Sequence, residues 1–134
     1  MSARPLPEPT GLTAEWYEYC HREELRFQRC RACGRWRHPP RYLCPTCGSP
    51  EWSWERSSGR GSLFTWTVTH QALNPAFVDL VPYAVAVIEL EEGVRVVSGL
   101  RDLPLTELRL DVPLEVGFDK LSDTITVPVF TPRR

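Results

Sequence analysis

Cys30 and Cys33, then Cys44 and Cys47, are the residues whose type and spacing point to chemistry. Each Cys-x-x-Cys pair is followed by a glycine, Gly34 or Gly48. Such a turn aims two sulfurs at one centre, and two turns supply the four thiolates of a tetrahedral metal. The glycines suit a chain that must reverse after the second sulfur, where a positive φ is needed. The blander readings are a pair of disulfides or four buried thiols, but disulfides within Cys-x-x-Cys are more often catalytic than structural. Zinc is the default for four thiolates, with rubredoxin-type iron the minority case, including on recombinant expression. Four sulfurs leave no open coordination position, so the metal is expected to be structural. His38, between the two pairs, reads as a loop residue because the cysteines already complete the set.

Other reactive groups are isolated. Cys20 stands beside His21, but neighbours on a helix do not face one another, and Cys20 reads as a small packing residue. His70 lies at a strand end beside a variable loop, where a ligand contact competes with a structural or solvated role. No Ser/His/Asp arrangement is evident.

The elements that must position these groups follow from length and pattern. The chain has 134 residues, 42% hydrophobic and 25% charged, with a formal net charge of −1. That is one domain's worth of ordinary globular composition, without bulk attraction to nucleic acid or anionic membrane. No apolar run approaches a bilayer span, there is no charged-then-apolar leader, and four cysteines in metal spacing favour a reducing cytoplasm. Met1 to Gly11 reads as an extended arm. A short helix is expected from Ala14 to about Arg26, capped by Thr13, with Trp16, Tyr19 and Cys20 on one face. That face either packs on the chain's own body or docks on another protein; Trp16 and Tyr19 are therefore candidate partner contacts.

Leu25 to Arg29 leads into the first cysteine pair as a strand, and Gly34 to Leu43 reads as a loop containing Pro39-Pro40. Trp52 and Trp54 share one face of a further strand. From Gly59 the pattern is β: Phe64, Trp66 and Val68 inside against Thr65, Thr67 and Thr69 outside. Tyr83 to Glu91 and Val94 to Arg101 form a hairpin about Glu92-Gly93. Ala84, Ala86, Ile88 and Leu90 line one face of its first strand, and Val85 with Val87 on the other implies a cover. Val112, Leu114, Val116 and Phe118 mark another strand, and Ile125, Val127 and Val129 the last. Between the first two of these strands, Gln71 to Pro82 is a long apolar loop. We read Leu73, Pro75, Phe77, Val78 and Leu80 there as offered to a partner. The strand count favours a mainly β chain: residues 1–26 arm and helix, 27–56 rubredoxin-like zinc ribbon, and 57–134 a small OB-fold barrel, with a β-sandwich second.

The order of these motifs resembles one family. Cys-x-x-Cys-Gly, Cys-Pro-x-Cys-Gly-Ser, Ser-x-Gly-x-Gly at Gly59 and Gly61, Thr67-x-Thr69-His70, Pro82-Tyr83 and Glu92-Gly93-Val94-Arg95 are similar to the acyl-CoA-associated zinc-ribbon/OB-fold family. It was long catalogued as a domain of unknown function. The likeness runs roughly from Trp16 to Phe130; Asp111 departs from it, standing where a turn glycine is expected. The resemblance implies a non-catalytic accessory subunit of a thiolase-fold enzyme, cytoplasmic, in a heterotetramer with acyl-CoA shared at the interface. In actinobacterial steroid catabolism, such a subunit partners a thiolase-like aldolase in a retro-aldol step and is often fused to, or bound by, an enoyl-CoA hydratase. In archaeal isoprenoid synthesis, a member bridges a thiolase and a hydroxymethylglutaryl-CoA synthase. Of the two the aldolase is preferred. Coenzyme A phosphates would want arginines; Arg60, Arg95 and Arg101, with His70, are the candidate acyl-CoA contacts. The rivals are a single-stranded nucleic-acid binder, disfavoured by the balanced charge, and an enzyme in its own right.

Overall fold

In a computed structural model the described residues are 4–133. One helix, α1 (Gly11–His21), precedes eight strands. Three form the ribbon sheet: β1 (Arg26–Cys30), β2 (Trp36–Arg37) and β3 (Trp52–Arg56), in the order β2-β1-β3 and antiparallel. Five close a barrel: β4 (Arg60–Thr69), β5 (Tyr83–Leu90), β6 (Arg95–Leu100), β7 (Pro113–Lys120) and β8 (Thr126–Pro132), in the order β4-β5-β6-β8-β7. The hoop shuts where β4 pairs with β7, and its one parallel join is β6 to β8, two residue pairs long. This is the five-strand barrel arithmetic of an OB-fold. The arm reading for Met1 to Ala3 lies outside the described residues.

The helix starts earlier and stops sooner than the sequence suggests. Thr10 is the N-cap residue and Thr13 lies inside the helix. At the other end Glu23 adopts φ +60, and the Glu23 and Glu24 amides donate back to the carbonyls of Cys20 and Tyr19. A left-handed residue there terminates the helix before Arg26. Its inward face, Leu12, Trp16 and Cys20, is buried.

One apolar cluster runs through both parts of the molecule. Trp16, Cys20, Leu25 and Phe27 join Leu63, Ile88, Leu114 and Phe130 without a break. β5 behaves as its alternation predicts, with Ala86, Ile88 and Leu90 buried. β4 does not. Leu63 faces Ile88 and Thr65 faces Val87, so Phe64 is an extra residue, a bulge. The bulge moves Phe64 out of the expected inner row, and Leu63 takes the core position. Phe64 instead lies under the Arg95 guanidinium at 3.7 Å. Ile125 and Val129 are buried as their pattern predicts, and β8 adds Phe130, wholly buried, which that pattern does not single out. The two-residue strand β2 also sits inside the stretch read as loop. Of the two outer-face valines expected to be covered, Val87 is half-buried and Val85 exposed, as is Val97 on the neighbouring strand.

Two motifs make one joint. Glu92, in the β5–β6 turn, accepts from the Ser57 hydroxyl and from the Ser58 amide just before β4. Gly61 then pairs with Leu90 on one side and Leu114 on the other. A Cβ on Gly61 would run into the Glu89 carbonyl oxygen, so only glycine lets the strands approach this closely. Asp111 holds φ +66, the conformation a turn glycine would supply, and its amide donates to the Leu63 carbonyl beside the bulge.

Candidate metal centre and the surfaces around it

Cys30 ends β1 and Cys33 closes the turn that follows; Cys44 and Cys47 sit in the second turn. In each turn the glycine amide donates back to the first cysteine's carbonyl, Gly34 to Cys30 and Gly48 to Cys44, both at 2.9 Å. Gly34 and Gly48 hold φ +78 and +77, matching the reversal expected of them. The two turns face each other. The four sulfurs all lie within 4.8 Å of one another, with Cys30 to Cys47 at 3.6 Å and Cys33 to Cys44 at 3.7 Å. A tetrahedron with metal–sulfur bonds of about 2.3 Å needs sulfurs about 3.8 Å apart. The set therefore fits a four-sulfur metal site and does not fit disulfides, and all five cysteines are free thiols.

The turns also prepare the sulfurs for charge. The Cys33 amide, with that of Ala32, holds the Cys30 thiol below its ordinary value. The amides of Cys47 and Thr46 draw Cys44 down to about 6. At Cys47 the Ser49 amide pulls the same way, but the neighbouring sulfurs and burial outweigh it and push the thiol up to about 11. Crowding of like charges is what a bound cation would relieve.

Behind this site lies a polar core that the sequence does not announce. Gln28 is wholly buried, and its Oε1 accepts from Arg37 Nε at 2.8 Å and from the Arg41 amide at 2.7 Å. Arg37 also donates to the Arg41 carbonyl. Together they fasten the linker between the two turns to β1. His38 follows Arg37 into the interior, its ring 5.3 Å from Trp16 and 5.1 Å from Phe27. Burial lowers its pKa to about 4, so it stays neutral, and it is not among the clustered ligand atoms. Cys20 is buried, and desolvation raises its thiol to about 12, which leaves it protonated and inert.

The expected contact residues are scattered. Trp16 is 7% exposed and part of the apolar cluster: of the two readings open for this face, its ring takes packing on the chain's own body. Tyr19 is half-buried against Trp54, with Arg22 and Arg26 over its ring. In the long loop Leu73 is 87% exposed, Val78 58% and Leu80 44%. Pro75 and Phe77 bound a single 3-10 turn capped by Asn74, whose side chain accepts from the Ala76 amide. Phe77 turns inward, 6.0 Å from Tyr83. His70 and Arg60 are exposed at opposite ends of the ten-residue β4, about 30 Å apart at strand rise. Arg95 is exposed but held by Glu89 at 2.9 Å. The structure thus brings the four cysteines together and does not gather Arg60, His70 and Arg95 into one site.

A four-sulfur ribbon joined to a five-strand OB barrel defines a class, the zinc-ribbon/OB proteins. Residues 18–53 match the family described as "ChsH2, rubredoxin-like zinc ribbon domain", and residues 54–119 match "ChsH2, C-terminal OB-fold domain". A "DUF35 domain-containing scaffold protein" of Methanocaldococcus jannaschii is 32% identical over 124 residues, 92% of this chain and 87% of its own. The chain belongs to the DUF35 family, with the ChsH2 type of ribbon and barrel. It is 36% identical over 129 residues to a "Probable enoyl-CoA hydratase alpha subunit" of Thermomonospora curvata, 96% of this chain but 40% of that protein. The chain therefore spans well under half the length of that relative. A solved chain of the "Ltp2-ChsH2(DUF35) aldolase" superposes with a TM-score of 0.87 at 35% identity, covering 95% of this chain and 98% of that one. No helix among the described residues is long and apolar enough to cross a membrane.

Proposed function

We propose that this chain is a non-catalytic subunit that docks on a thiolase-fold partner acting on acyl-CoA, and that the partner is a carbon–carbon lyase of the aldolase type. The observation that carries the reading is the near-complete superposition on a chain of an aldolase complex. The chemistry agrees with it: the metal set is closed by four sulfurs, and the remaining cysteine is buried and protonated. Retro-aldol cleavage needs a positioned base and an oxyanion donor, which this reading assigns to the partner. Zinc is the proposed metal, a structural clip whose binding energy is folding energy. A heterotetramer, acyl-CoA of a lipid or steroid side chain at its interface, and a cytoplasmic setting complete the proposal. The hydratase relative supports a fused or associated hydratase as neighbour.

The docking surface in this reading is the 71–82 loop, where Leu73 and Val78 present bare apolar side chains. Co-expression with a thiolase-like protein encoded nearby, followed by co-purification and an aldolase assay, tests it. The expected result is a stable complex whose activity neither chain shows alone. The double variant L73D/V78D is expected to abolish co-purification while changing the chain's own stability by no more than about 0.5 kcal/mol, since both side chains are solvated. An intact complex in that variant removes the loop from the interface. Turnover of an acyl-CoA by the isolated chain overturns the subunit reading. The likeness to the archaeal scaffold protein supports a second reading, a bridge between a thiolase and a hydroxymethylglutaryl-CoA synthase. Co-purification with both enzymes at once distinguishes it.

A further inference from the structure

A buried cation without a counter-charge stands behind the sulfurs. Arg37 is 7% exposed, and among the described residues no carboxylate lies within 4.0 Å of its guanidinium. It donates to two neutral acceptors, Gln28 Oε1 and the Arg41 carbonyl, both at 2.8 Å. Its Nη1 is buried with no partner, and so is Nε2 of the wholly buried Gln28. An interior guanidinium is strongly destabilising unless negative charge answers it.

The strand register shows where that charge can come from. On β1, Gln28 and Cys30 are two residues apart and share one face. Arg37 stands opposite Gln28 across the β1–β2 ladder, and Trp52 stands opposite Cys30 across the β1–β3 ladder. The Arg37 Cζ is 6.0 Å from the centre of the Trp52 ring, so the guanidinium reaches across β1 toward the rung that carries Cys30. Four thiolates around a divalent ion leave a double negative charge. Arg29, Arg31 and Arg35 also lie near the first turn, but they are exposed and water screens them. Of these cations, Arg37 is the one that acts through protein rather than solvent.

We infer that Arg37 is a positioning residue of the metal centre: its buried charge balances the four-sulfur site and tightens the hold on the ion. The neutral amide at position 28 is part of the device. Gln28 anchors the guanidinium without cancelling its field. A glutamate there would offer the same oxygen to Arg37 and to the Arg41 amide, but would neutralise the cation locally. The inference rests on the metal reading and is independent of the docking partner and of acyl-CoA.

The test uses the full chain. Zinc affinity is measured by competition with a chelator, and the reduction potential of the iron-loaded chain by redox titration. Uptake of one electron by ferric iron adds one negative charge to the centre, so a nearby cation favours the ferrous state. R37M and Q28E should each weaken zinc by about ten- to hundredfold and lower the iron potential, whereas R37K, which keeps the charge, should stay within about threefold of the parent chain. If Arg37 only fastens the linker, Q28E leaves affinity and potential unchanged, because the hydrogen bonds to position 28 survive. In that case R37K also fails together with R37M, because the planar fork is lost. Either pattern overturns the inference, and where R37M does not fold, Q28E and R37K decide. A parent chain that takes up neither zinc nor iron overturns the metal reading itself. A parent chain that loads normally, with Q28E matching it, sinks the role of Arg37 alone.

Discussion

Between Arg26 and Arg56 the chain makes three short strands and two sulfur-bearing turns; between Arg60 and Pro132 it makes five strands that close on themselves. The two halves solve the same problem with different forces. β2 has two residues and β1 and β3 five each, too little sheet to bury a core of its own. The ribbon is held by a four-sulfur metal site at one end and by the shared apolar cluster at the other. The barrel has no such clip and depends on close packing and on backbone approach at Gly61. A small region can thus be exact in shape with almost no interior, provided an ion supplies the energy, whereas a barrel must fit everywhere at once.

The comparison is broken most severely at Cys44. C44S should lose the metal and with it on the order of 10 kcal/mol of folding energy in the ribbon. Metal analysis and amide exchange should show an empty, unprotected ribbon while the β4–β7 strands retain protection. Equal loss in both halves would mean that the halves fold as one unit through the Phe27 cluster. Next in size is G61A. The added methyl meets the Glu89 carbonyl, and overpacking against backbone should cost about 3 kcal/mol in a denaturant titration, with the metal content unchanged. Smallest is an effect of pH at the seam between the halves. His38 titrates at about 4 in the folded chain against 6.5 when exposed. The unfolded state then binds more protons in that window, so stability is fullest above pH 6.5 and falls as pH drops toward 4, by about 3 kcal/mol. H38F should flatten the dependence in this window. Following the metal content alongside separates this effect from protonation of the thiolates.

The sulfur spacing made the metal site legible because ligation is a local demand: two turns and two glycines specify it almost alone. The barrel was legible in outline because alternation reports which face is buried. What alternation cannot report is a change of register, and Phe64 shows the consequence, since one extra residue at the bulge sends it outside and leaves Leu63 in the core. Trp16 stayed undecided in the sequence for a related reason. An aromatic on a terminal helix looks the same in sequence whether its own core or a partner receives it, and here His38 and Phe27 complete the core around it. The Gln28–Arg37 pair had no signal, because a buried polar strand residue resembles an exposed one until its partner is known. The parting of two ladders was invisible for the same kind of reason: β6 leaves β5 after Ser98 and joins β8 at Gly99, a property of neither strand taken singly.

That parting has a mechanical side. A hoop tends to give at its narrowest weld, and the weld between β6 and β8 spans two rungs where β7 and β8 share seven. Breathing of the barrel should therefore concentrate at Gly99 and Leu100. Opening at that weld would loosen one end of the barrel and leave the four-sulfur turns undisturbed.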